Sequence, residues 1–166
     1  LKKKQKQAII LGAAVTVIVA LAALYSYTLE QTRMRGFAFG NELEQIQDDL
    51  KSIHDEFESK KTIMAEGDIT REELAKFALD HIQSLQNIAS RYDSLDVPRQ
   101  FISSVELFRL SVESQEDSTR EFILYLETGD EEHRIRSGEL FQESFEYEIT
   151  ALSHFNTAKS GRDIIP

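Results

Sequence analysis

From Ala8 to Leu29 the chain carries no charged side chain, and Lys2, Lys3, Lys4 and Lys6 stand immediately before that run. As a helix rising ~1.5 Å per residue it measures about 33 Å, which matches the ~30 Å hydrocarbon core of a bilayer. Tyr25 and Tyr27 near its far end suit the aromatic belt where lipid meets water. Four lysines on the near side against Arg33 and Arg35 on the far side predict a cytoplasmic basic segment, 1–7, with everything past residue 30 outside. A cleaved secretory signal peptide is the rival, because Ala20-Leu21-Ala22 resembles a small-x-small cleavage site. The run exceeds the about 7 to 15 residues of a signal h-region, so the expectation is a retained transmembrane helix over 8–29. Small residues within it, Gly12, Ala13, Ala20 and Ala23 above all, let another membrane helix approach closely and are the expected partner contacts.

The region beyond residue 29 is long enough for one compact domain and holds all 29 acidic residues but only 15 of the 19 basic ones, a formal charge of −14. Such a field repels nucleic acid and favours cations or basic partner surfaces. With no cysteine, disulfides, thiolate metal sites and cysteine nucleophiles are excluded, and stability must come from the core alone. Tryptophan is absent and only Pro98 and Pro166 interrupt the chain, a composition that points to an all-helical domain.

Apolar period and turn residues divide that domain into four helices. Leu43, Ile46, Leu50, Ile53 and Phe57 repeat at alternating spacings of three and four, a heptad seam that ends before Glu66-Gly67-Asp68. Thr70 with Glu73 forms a capping box, and the second helix carries Leu74, Ala78, His81, Leu85, Ile88, Tyr92 and Leu95. Pro98 closes it and opens a third helix with Phe101, Val105, Phe108, Val112, Gln115, Thr119, Phe122 and Leu126. Thr128-Gly129-Asp130 stops that helix and caps the fourth, whose expected seam is Phe141, Phe145, Ile149, Leu152 and Phe155. Short connections make neighbours antiparallel. The fold expected is all-α: a transmembrane helix continuing through a helical connector, 30–40, into an extracytoplasmic up-down-up-down four-helix bundle, 41–160, with a tail at 161–166. The last helix then returns to the bilayer.

No catalytic constellation emerges. The paired Glu-x-x-His motifs of a di-iron bundle are missing, and Asp130-Glu131-Glu132-His133 lies where cap and dipole chemistry explains it. Neither a His-Glu-x-x-His motif, a phosphate loop nor a nucleophile elbow occurs. Ser111, Ser114 and Ser118 lack a companion base and are expected to allow close packing or to face water. His54, His81 and Glu146 to Glu148 fall near mid-height, with Gln115 about a turn above. A hydrogen-bonded polar layer fixing helix register is the expectation there. The rival is copper or zinc held by His54, His81 and Glu148. No cofactor is expected.

The functional expectation is a non-catalytic accessory or structural subunit of a membrane complex, embedded in the lipid bilayer, with larger integral membrane subunits as partners and no nucleic acid. The alternative is an extracytoplasmic ligand-sensing bundle of a receptor, which a second apolar run beyond Pro166 would favour. The stretches Tyr92-Asp93-Ser94-Leu95, Ser103-Ser104-Val105-Glu106-Leu107-Phe108, Thr128-Gly129-Asp130 and Gln142-Glu143-Ser144-Phe145-Glu146-Tyr147-Glu148 carry a family likeness. With the anchor, this pattern resembles small single-pass membrane proteins of ammonia-oxidising archaea. That resemblance implies an extra, non-catalytic subunit of the archaeal ammonia monooxygenase, a copper membrane enzyme.

Overall fold

The computed structural model describes residues 3–160, with side chains from Met34 onward. Four α-helices follow one another: α1 (Lys3–Glu66), α2 (Arg71–Ser94), α3 (Ile102–Thr128) and α4 (Glu131–Lys159), with one 3-10 turn, Arg99–Phe101, ahead of α3. The described residues contain no strand, and the fold is an all-α four-helix bundle. The chain divides into Leu1–Ala38 and Phe39–Pro166. The second unit starts at Phe39, whose ring packs in the core. Among the described residues no helix is long and apolar enough to cross a membrane. The side chains of the run 8–29, with Gly12, Ala13, Ala20 and Ala23, lie outside the described set.

The helix ends follow from their turn residues. Gly67 adopts a left-handed φ of 89°, which lets its N–H reach the Met64 carbonyl at 3.0 Å while the Asp68 N–H reaches Ile63 at 3.1 Å. This pair of bonds satisfies carbonyls that the last turn of α1 leaves without partners. The Thr70 capping box is reciprocal: Glu73 N–H donates to Thr70 Oγ1 at 3.1 Å, and Thr70 N–H donates to Glu73 Oε2 at 2.8 Å. Gly129, at φ 75°, donates to the Tyr125 carbonyl, and Asp130 accepts from the Glu132 N–H to open α4. Pro98 departs from the expectation. Helical conformation is disfavoured at Val97 before it, α2 already ends at Ser94 with Leu95 extended, and Pro98 opens the 3-10 turn instead of α3. That turn places Phe101 between Phe39 and Phe155, with ring centroids 5.3 and 4.9 Å away.

Neighbouring helices run antiparallel. As positions on α1 rise from Gln47 to Phe57, their partners on α2 fall from Tyr92 to His81. The same reversal links α3 to α4, from Ser103–His154 to Ser118–Ser137, and α2 to α3, from Gln86–Glu116 to Asp93–Arg109. The expected seams of α1, α2 and α3 face inward: Leu43, Ile46, Leu74, Leu85, Tyr92, Val105, Phe108 and Val112 are all buried. They form two apolar clusters, one around Phe39, Leu50, Leu85 and Phe108, the other around Phe57, Leu74, Ile82 and Leu126.

The fourth helix contradicts its expected seam except at Phe155, which packs against the core. Phe141, Phe145, Ile149 and Leu152 are 43%, 57%, 52% and 47% exposed, while Ser137, Leu140, Ser144 and Ala151 are buried. The reason is the close approach of α3. Ser104, Ser111 and Ser118 recur every seventh residue on α3, against Ser137, Ser144 and Ala151 at the same period on α4. Ser118 Oγ donates to the Ser137 carbonyl at 2.8 Å, and Ser114 Oγ to the Leu140 carbonyl at 3.0 Å. Only small side chains let a hydroxyl on one helix touch the backbone of the next. The serines therefore pack, and α4 is turned so that its aromatic stripe lies beside the buried face.

Candidate functional site

Two features stand apart from the packed apolar core. The first is the stripe on α4, whose flanks are acidic. Between Arg136 and Lys159 the helix carries Glu139, Glu143, Glu146 and Glu148 and no lysine or arginine. An apolar face of this kind on a solvated helix is a candidate interaction surface.

The second is a break in the core at mid-height. Gln115, Ser118 and Thr119, all buried, occupy the level between the two apolar clusters, and buried His81 lies beside Ala78 and Ile82 of the second. A cavity of about 300 Å³ opens there among the four helices, and His54, His81 and Gln115 all border it. Its walls are ring faces. His54 stacks on Phe141 of α4 with centroids 5.4 Å apart and planes 11° from parallel. One turn along, Phe57 stacks on His81 at 4.4 Å and meets Phe122 edge-on at 6.1 Å. A neighbouring cavity of about 460 Å³, bordered by Leu50, Ser144, Phe145 and Glu148, shares His54, Gln115 and Phe141 with the first.

The polar groups are placed by register. Lys61 lies seven residues beyond His54 on α1, and Arg134 lies seven residues before Phe141 on the antiparallel α4, so both cations reach the same end of the first cavity. Lys61 Nζ pairs with Glu58 at 2.7 Å and hangs 5.3 Å from the Phe122 centroid, while Arg134 pairs with Glu131. Gln115 sits at the opposite end, level with the His54–Phe141 stack. It is 8% exposed, and its Oε1 accepts no hydrogen bond. Burial, with repulsion from His54 behind it, pulls the His81 imidazole down from its ordinary 6.5 to about 4, so the ring is neutral at physiological pH.

The structure therefore brings His54, His81 and Gln115 to one cavity and leaves Glu146 on the outer face of α4. Glu148 borders the neighbouring cavity instead. The expected closed hydrogen-bonded layer does not form, because Gln115 finds no donor for its carbonyl oxygen. Among the described residues no three His, Cys, Asp or Glu side chains converge as metal ligands do, and His54, His81 and Glu148 share no single centre. Asp130-Glu131-Glu132-His133 has cap and pairing roles: Asp130 caps α4, Glu131 holds Arg134, and His133 Nδ1 meets Glu121 of α3 at 2.7 Å. Lys61 and Arg134 were missed by the sequence pattern. Their signal was available, since two cations at matching heights of antiparallel helices stand out in an acidic domain.

No protein-family model, no curated protein and no solved structure matches this chain.

Proposed function

We propose that this chain is a non-catalytic accessory subunit of a membrane protein complex, anchored by the helix over 8–29, with residues 1–7 in the cytoplasm and the acidic bundle on the outer face. The observation that carries the reading is the exposed stripe of Phe141, Phe145, Ile149 and Leu152 on α4. Covering half-exposed large apolar side chains is favourable by ~25 cal/mol per Å² of apolar surface, so the stripe provides a drive for association. The four flanking glutamates select the partner. A second copy would set carboxylates against carboxylates, whereas an apolar groove with a lysine- or arginine-rich rim complements both parts of the face. The small residues Gly12, Ala13, Ala20 and Ala23 supply a second contact, within the bilayer, to the larger subunits. The complex we name is the archaeal ammonia monooxygenase, on the resemblance of the sequence alone.

Co-purification from native membranes in mild detergent tests this reading. The chain should elute with larger membrane subunits, and Phe145→Asp with Ile149→Asp should release it while its helical content and melting temperature stay unchanged. Protease added to right-side-out vesicles should digest 41–160. A wild-type chain that elutes alone, or a protected bundle, overturns the reading. A second reading, an extracytoplasmic ligand-sensing bundle, draws on the cavity beside Gln115.

A further inference from the structure

The serine row draws α4 onto α3, and the side of α4 toward α1 is less closely packed. The cavity of about 460 Å³ lies there, with buried Leu50 and Ser144 at its floor. Asp48 of α1 borders it on one side, and Phe141, Phe145 and Glu148 of α4 on the other. Phe141 and Phe145 thus belong both to this wall and to the exposed stripe of α4.

Two carboxylates stand level across the cavity. His54 stacks on Phe141, and α1 and α4 are antiparallel, with Phe39 and Phe155 both meeting Phe101 farther along. Asp48, six residues before His54, therefore comes level with Glu148, seven residues after Phe141. Asp48 is exposed and Glu148 half-buried. The charge of Glu148 is felt inside the bundle: burial first and this carboxylate second raise the pKa of Tyr92, whose hydroxyl accepts from Gln47 Nε2 at 2.5 Å. Lys51 borders the same cavity, but its ammonium is held by Asp55 at 2.7 Å, and Asp48 acts on it only at longer range. Among the described residues neither Asp48 nor Glu148 has a cation at ion-pairing distance.

While the stripe is uncovered, water solvates both carboxylates. Docking changes that. A partner that covers Phe141 and Phe145 also covers the mouth of the cavity they line, and an ionised carboxylate shut away without a counter-charge is among the costliest groups to bury. Building on the docking of α4 set out above, we propose that the partner inserts a lysine or arginine side chain into the α1–α4 cavity, its stem along Leu50 and Phe145 and its charge between Asp48 and Glu148. Both side chains suit the place, having an apolar stem and a charged tip. Asp48 and Glu148 then select among apolar surfaces. One that brings no cation to this spot is refused, because it leaves two carboxylates buried and unpaired.

Asp48→Asn combined with Glu148→Gln tests the proposal by the sign of its effect. Neither carboxylate is paired, so the variant should keep the wild-type melting temperature. Tagged wild-type and variant chains are purified from native membranes in mild detergent, and the ratio of chain eluting with larger subunits to chain eluting alone is read for each. The ratio should fall about tenfold in the variant and lose most of its dependence on salt. Asp117→Asn with Glu127→Gln, both exposed on α3, makes the same change in net charge away from the cavity and should lower the ratio by less than about twofold. A ratio that the cavity variant leaves unchanged or raises overturns the proposal, since a wholly apolar cover gains when the two charges are removed. An equal fall in the α3 control also overturns it. With the wild type still held by larger subunits, either result leaves the docking of α4 standing, whereas a wild-type chain that elutes alone removes both.

Discussion

Enlarging Ala151 should damage this protein more than deleting most of Leu152, its neighbour on α4. Ala151 is 0% exposed, in a row of small residues that lets α3 and α4 come together, and Leu152 is 47% exposed on the outward stripe. Ala151→Leu forces added methylene groups into a tightly packed helix interface, at a cost of ~1–3 kcal/mol. The upper half of that range applies, since Ser104 and Ala151 leave no void between the helices to absorb the change. Leu152→Ala removes a side chain about half of which already faces water. Full burial of a leucine is worth ~1.5–3 kcal/mol, so the loss is about 1 kcal/mol, partly offset by alanine's higher helix propensity. For a bundle of this size each kcal/mol moves the melting temperature by about 3–4 °C. Thermal unfolding followed by circular dichroism should show Ala151→Leu lowered by about 6–12 °C and Leu152→Ala by less than about 4 °C. The opposite ranking would mean that α4 is rotated with its aromatic stripe inward.

Other outcomes follow from the same structure. His81 has a folded-state value near 4 against an ordinary 6.5, so the unfolded chain binds the extra proton between those limits and stability falls as pH drops from 6.5 to 4. Urea titrations across that window should show His81→Gln with a flatter profile than wild type, by about 2 kcal/mol after allowance for partial solvent access. Phe108, 3% exposed, should cost ~3–5 kcal/mol when changed to alanine, against less than ~0.5 kcal/mol for exposed Glu44→Ala, both read by chemical denaturation. Gly129→Ala should cost ~1 kcal/mol through its left-handed φ of 75° alone, since its added Cβ meets only Arg71 Nη1, at 3.7 Å.

Most of the bundle was legible because large apolar residues announce three of its helices. Leu43 to Phe57, Leu74 to Leu95 and Val105 to Leu126 hold their heptad spacing, and Thr70-Glu73 and Gly129-Asp130 are local signals that tertiary context does not override. The fourth helix was misread because apolar size was taken as the mark of burial. On α4 the buried face is Ser137, Ser144 and Ala151, and what buries it is the matched row Ser104, Ser111 and Ser118 on α3, a relation between two helices that neither displays alone. Pro98 was misplaced by one short element, since the 3-10 turn that seats Phe101 answers to a packing need and not to a local preference. At mid-height the sequence placed His54, His81 and Gln115 together correctly. Whether their polar atoms would satisfy one another depended on side-chain geometry that spacing does not specify, and Gln115 Oε1 remains unpaired.

The central claim is that the uncovered face of α4 meets a partner, and site-directed photocrosslinking in native membranes tests it most directly. A photoreactive phenylalanine analogue would replace, one at a time, Phe145 and Ile149 on the stripe and Gln83 on the exposed face of α2. The account predicts covalent adducts to a larger membrane subunit from both α4 positions, mapped to an apolar segment flanked by lysine or arginine, and none from Gln83. Adducts from Gln83 alone, or an uncrosslinked monomer from all three positions, would contradict it.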